Sequence, residues 1–188
     1  MTNRLTTAML FRRPGLFVGD RRGVSAVEFA LLLPLMIPLY LGAVEFSQGF
    51  DMNRKVTLIA ATVANITAQN TNLTTTAMTN ILNASTAIMS PYSTSGLSVT
   101  VSCLSIDANS AVAVDWSATL NGTARAVGSK VTIPSALLVP SSQLIFSEVS
   151  YPYKPSLGYV LTGTLNLKGT TYNSPRITAP TYNSAACS

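Results

Sequence analysis

Hydrophobic positions along this chain fall into three successive rhythms: an unbroken run, a helical stripe, and then strict alternation. From Val24 to Val44 no residue is charged except Glu28. As a helix that run is about 31 Å long, close to the roughly 30 Å of a bilayer core. Beyond it Val56, Ile59, Ala60, Val63 and Ile66 recur at three- and four-residue spacing, with Asn53, Arg54, Asn65 and Gln69 between them. That is the signature of a one-sided helix. The two patterns join without a break, which predicts a single helix from near Val24 to about Gln69. It is apolar all round at first and carries a core-packed stripe afterwards. Pro34 and Pro38 lie inside the apolar run. Each removes a helical N–H donor, which predicts a kink or local unwinding near 30–38.

A second helical pattern covers about 75–89, with Met78, Ile81, Leu82, Ile88 and Met89 as its stripe, and Pro91 and "STSG" (93–96) end it. The period then becomes two. "LSVTVSCLSI" (97–106), "AVAVDWSATL" (111–120), "KVTI" (130–133), "QLIFSEVSYPY" (143–153) and "YVLTGTLNL" (159–167) are the strand candidates. Turn residues separate them at "DANS", "NGT", "VPSS" and "PSLG". Short connections between successive strands imply an antiparallel sheet packed on the helical stretch, an α+β fold. Trp116, Tyr151 and Tyr153 are expected to pack that sheet.

Charge divides the chain. Residues 1–23 hold Arg4, Arg12, Arg13, Arg21 and Arg22 against Asp20, whereas 24–188 carry seven bases and six acids. The basic character is therefore a property of the leader and gives no indication of a nucleic-acid partner. Arginines before the apolar run, with Glu45 and Asp51 after it, place the N-terminus in the cytoplasm and the remainder outside. Four parts follow: a basic leader (1–23), a transmembrane helix (24–44), an amphipathic continuation (45–70) and an exported α+β head (71–188). Glu45 is expected to be merely interfacial. The head's 44 Ser, Thr and Asn against eight charged side chains give it a neutral, hydroxyl-rich exterior. Both cysteines, Cys103 and Cys187, lie on the exported side, where a disulfide between them is expected.

The chain contains no histidine, which excludes His-based triads, metal ligands and general bases. Asp107, Asp115 and Glu148 are scattered, and no phosphate-binding glycine loop or nucleophile elbow is present. The sequence is not that of an enzyme, and it implies no cofactor, metal or small-molecule substrate.

Glu28 then needs a reason, because a carboxylate inside hydrocarbon costs about 2.5–3.5 kcal/mol even on lenient scales. Cleavage after Gly23 would supply one. Val24 would gain a free amine, and Glu28, four residues on, would lie one helical turn away. The two charges can neutralise each other within one subunit or between neighbours. Arg21 and Arg22 would hold the uncut leader in the cytoplasm.

"RRGVSAVEFALLLPL" (21–35) followed by "GAVEF" (42–46) resembles the prepilin signal of type IV pilins, and most of all the TadE-like pseudopilins (minor pilins) of tight-adherence (Tad, or Flp) pilus systems. "NRKVTLIAATVANITAQ" (53–69), "VDWSA" (114–118), "EVSYPYKP" (148–155) and "SPR" (174–176) look like the family's later landmarks. The resemblance implies a pilin-like stalk and head, cutting by a prepilin peptidase, partnership with other pilin or pseudopilin subunits in the inner membrane, and a role in assembling an adhesive pilus. Phe29 stands where major pilins of this class usually carry tyrosine, and a second proline at Pro38 is not part of the pattern. Two other readings stay open. One is an ordinary signal peptide cut after "LGA" (41–43); the other is an uncut single-pass inner-membrane scaffold whose Glu28 pairs with another helix.

Overall fold

A computed structural model describes residues 23–155, 158–159 and 162–188. The leader, with Arg21 and Arg22, lies outside the described residues. The first element is one long helix, α1 (Val24–Gln69), and its backbone is helical without a break through Pro34 and Pro38. Of the kink or unwinding expected near 30–38, unwinding does not occur, although each proline still leaves one carbonyl of the preceding turn without its usual donor. A two-residue strand β1 (Asn72–Leu73) and helix α2 (Thr75–Thr86) follow. The side chain of Thr74 caps α2 by accepting from Ala77 N at 3.2 Å. The helical stretch expected over 75–89 ends as a 3₁₀ turn, Ala87–Met89.

Four strands then form an antiparallel sheet: β2 (Ser98–Ile106), β3 (Val112–Leu120), β4 (Ser142–Tyr153) and β5 (Leu165–Asn173), in the spatial order β3-β2-β4-β5. A short strand β6 (Thr181–Tyr182) runs parallel to β1 in a sheet of its own. The fold is thus α+β, as the change of period implies. Two strand expectations fail. Residues 130–133 pair with β3 only at a bridge between Lys130 and Ala113 and otherwise cross the outer face of the sheet, where Ile133 is buried. Of the strand expected over 159–167, residues 160–161 lie outside the described residues, and pairing is seen only from Leu165 onward. Gly158 and Gly163 both adopt positive φ, +67° and +92°, which bends the chain and delays pairing.

The inner face of the sheet packs on the second half of α1. Val56, Ile59, Ala60, Val63 and Ala64 are fully buried with Val99, Val101, Cys103, Trp116, Ile145, Val149, Tyr151 and Tyr153. The helical stripe and the alternating strands therefore meet as the periodicities require. A β-bulge between Cys103 and Leu104, opposite Asp115, changes which face β3 presents. Trp116 and Ala118 face the α1 core, whereas Val112 and Val114, also at even positions, join Leu104, Ile106, Leu144, Phe146 and Ile133 in a second core on the outer face. One alternating run supplies two cores.

Polar contacts fasten the head to α1 at both ends of its buried stretch. Lys55 Nζ donates to the carbonyls of Ile88 (3.1 Å) and Ser90 (2.9 Å) and lies 5.8 Å from the centre of the Tyr92 ring. At the far end Arg176 N donates to Ala68 O at 3.0 Å, and its guanidinium reaches Asn65 Oδ1 at 2.6 Å. The last residues return across the sheet, where the Trp116 indole N–H donates to Pro180 O at 3.0 Å and Cys187 is joined to Cys103. Their Cα atoms are 5.9 Å apart. The disulfide closes a sequence separation of 84 residues, which on the chain-entropy account contributes about 4.5 kcal/mol.

Strand β5 comes closest to α1 at Gly169. A Cβ there would lie 2.9 Å from the Val56 carbonyl oxygen and 3.1 Å from Thr57 Cα. Both are backbone atoms, so the clash has no side chain to absorb it. Gly169→Ala is expected to lower stability by about 1–3 kcal/mol, as overpacking does, read as an earlier thermal transition of the full-length protein in detergent. Reduction is expected to lower the same transition, and non-reducing mass analysis to find no free thiol.

Candidate functional site at the start of the long helix

Residues 24–40 make no core. An 18-residue apolar window of α1 is wholly unburied within the molecule, and Leu31, Leu35, Leu39 and Tyr40 are each more than 60% exposed. The helix is long and apolar enough to cross a membrane. Its start is the site that the sequence singles out. Gly23 is the N-cap with φ −90° and ψ −8°, the helix begins at Val24, and the glycine has no side chain with which to cap it. The first turn carries no acid, so it brings no negative side chain of its own to the positive end of the helix. Glu28 stands one turn further on, exposed, and no ion pair reaches it among the described residues.

Gly23 is not required by local geometry. Its φ is negative, and a Cβ added to it would meet nothing within 4 Å. Where a fold needs glycine, the reason is usually a left-handed conformation or a close contact. Neither applies at Gly23, whereas the close contact at Gly169 shows what such a need looks like.

The structure also reveals a residue whose role sequence reasoning missed. Glu45, expected to be interfacial, is fully buried one residue beyond the apolar run. Its carboxylate accepts a hydrogen bond from Tyr159 N at 2.8 Å, across 114 residues of sequence. The connection between β4 and β5 is thereby fixed to the helix where the apolar run ends. Tyr153 sits near it. Burial, and next the Glu45 carboxylate and Tyr151, raise the Tyr153 phenol above its usual value. Its hydroxyl is buried with no hydrogen-bond partner among the described residues. The sequence offered only a weak signal, an acid directly after 21 residues of helix, and nothing in it marked residue 159.

On the outer face Arg125 grips Glu148 with two hydrogen bonds, Nε to Oε2 at 2.6 Å and a terminal nitrogen to Oε1 at 2.7 Å. The guanidinium lies 5.5 Å from the centre of the Phe146 ring, which stacks on Tyr172 at 4.5 Å. The bond to Glu148 holds the Arg125 guanidinium protonated more firmly than usual. With both side chains about one-third exposed, this pair anchors the 121–141 connection and shows no chemistry beyond that.

Tyr153→Phe removes a hydroxyl that has no partner among the described residues, so stability at neutral pH is expected to stay within about 1 kcal/mol of wild type or to rise. The pH dependence runs one way. A phenol raised by folding keeps its contribution below the unfolded value of about 10 and loses it as pH climbs through the folded value. Burial raises Tyr92 and Tyr172 as well. Thermal unfolding is expected to fall off above about pH 10, and less steeply in Tyr153→Phe.

Comparison with known proteins bears on this same stretch. Residues 23–65 match the family model described as TadE-like protein. The match begins at the N-cap glycine and ends within the buried half of α1, so the later landmarks at 114–118, 148–155 and 174–176 fall outside it. Neither the curated proteins nor the solved structures contain a match to the chain. Over the stretch of helix that carries Gly23, Glu28 and Glu45, this chain is similar to TadE-like proteins.

Proposed function

We propose that the chain is a prepilin cut after Gly23 by a membrane-embedded prepilin peptidase, and that its mature form acts as a minor pilin or pseudopilin in assembly of a Tad-type adhesive pilus. The observation that carries this reading is the exposed, uncapped helix start with a carboxylate one turn inside it. An amine created at Val24 would give that carboxylate a partner one turn away. It would neutralise Glu28, and it would leave a hydrocarbon-compatible helix that can move from lipid into a bundle of like helices. The freedom around Gly23 supports the same reading, because a glycine the fold does not need fits the demands of a second protein's active site.

The inner membrane holds the apolar half of α1 before assembly, and other subunits cover it afterwards. The head faces the periplasm or the exterior. Its role is structural rather than catalytic: helix packing drives association, and the head surface sets which neighbours fit.

The test is the mature N-terminus, read by mass spectrometry from cells with and without the peptidase. A start at Val24 that depends on the peptidase is expected. A start at Val44 would replace this reading with a conventional signal peptide, and an intact leader would leave a single-pass scaffold. Gly23→Ala is expected to block cutting, whereas Glu28→Ala is expected to be cut and to lose pilus output. Wild-type pilus output from Glu28→Ala cells would contradict the pairing.

A further inference from the structure

The buried carboxylate of Glu45 has a consequence for where the head lies. Glu45 follows directly on the 24–44 run, so at about 1.5 Å per residue it stands at the level where the bilayer core gives way to headgroups. The hydrogen bond from Tyr159 N brings the β4–β5 connection to that same level. The Tyr159 side chain is 73% exposed there. Within about one and a half turns of Glu45, on other faces of α1, stand two further exposed aromatics, Tyr40 at 71% and Phe46 at 70%. Tyrosine at the boundary of hydrocarbon and water satisfies both its ring and its hydroxyl, which is why aromatic side chains concentrate at that depth. Lys154, exposed in the same connection, adds a cation suited to anionic headgroups.

We infer that Tyr159 makes a second membrane contact, seated in the headgroup layer of the outer leaflet, and that Glu45 is the tether that holds it there. The occupant of this surface is lipid, because the contact is continuous with the span and lies at its end. The inference rests on the membrane insertion of α1 proposed above. With the tether closed, Tyr159 is held against the bilayer surface beside the span. Extraction of the subunit would have to remove Tyr159 from the headgroups together with the helix.

The experiment uses the full-length chain carrying Tyr159→Trp, reconstituted into phosphatidylcholine–phosphatidylglycerol vesicles whose acyl chains are brominated near the glycerol end. Wild-type protein sets the baseline, because its single tryptophan, Trp116, is buried in the head. The expected result is flotation with the vesicles and at least twofold more quenching of the introduced indole than of the baseline. Adding Glu45→Ala is expected to bring quenching down at least halfway to baseline, while Glu45→Gln, which keeps an acceptor for Tyr159 N–H, retains it; near-ultraviolet circular dichroism confirms that the head remains folded. Flotation with baseline quenching would overturn the lipid contact and leave the membrane reading standing. Failure to float would overturn both. Full quenching in a folded Glu45→Ala protein would overturn the tether.

Discussion

A helix of 46 residues with a head that can cover only its second half is the constraint from which the rest of this structure follows. Burial of apolar surface is the main favourable term in folding. Here it is satisfied internally from Met52 to Ala68 and left unsatisfied from Val24 to Tyr40. No rearrangement of the sheet could reach the first half, because the continuous helix carries it away along its axis. The unsatisfied half must find an apolar surrounding outside the molecule, and a bilayer or a bundle of similar helices provides one. Glu45 marks the boundary between the two halves.

The head is built to hold the helix at one rotation. Gly169 lets β5 approach the backbone of α1, Lys55 ties the end of the second helix to it, and Arg176 ties the C-terminal segment to its last turn. The disulfide then joins the innermost strand to that C-terminal segment. Together these contacts make the buried half of α1 part of the head, and through it they fix which faces of the exposed half point in which direction. In the pilin reading proposed above, that coupling would convert the shape of the head into a choice of neighbours.

Most of the helical architecture was legible because its signals are local. The change from all-round to one-sided hydrophobicity placed α1 and its core face, and the chain's two cysteines pointed to their own pairing. The departures have physical reasons. The alternating "KVTI" is apolar because Ile133 packs on the outer face, a need that period two cannot distinguish from pairing in a sheet. The strand expected from Tyr159 was displaced by two glycines at positive φ, whose effect depends on backbone conformation and not on hydropathy. The β-bulge at Asp115 was invisible for the same reason, since it sends equal side chains to opposite faces. At the site, Gly23, Val24 and Glu28 could be singled out because their spacing alone carries meaning, whereas the burial of Glu45 arises from a contact 114 residues away.

The central claim is that the two halves of α1 are held by different surroundings, one by lipid and one by the head. Peptide-resolved hydrogen exchange of the full-length chain in lipid nanodiscs, with urea raised through unfolding of the head, tests it most directly. The account predicts that amides from about 46 to 69 open together with the strands while those of 28–44 stay protected by the bilayer. Exchange of both halves in a single step, or ready exchange of 28–44 in the absence of urea, would contradict it.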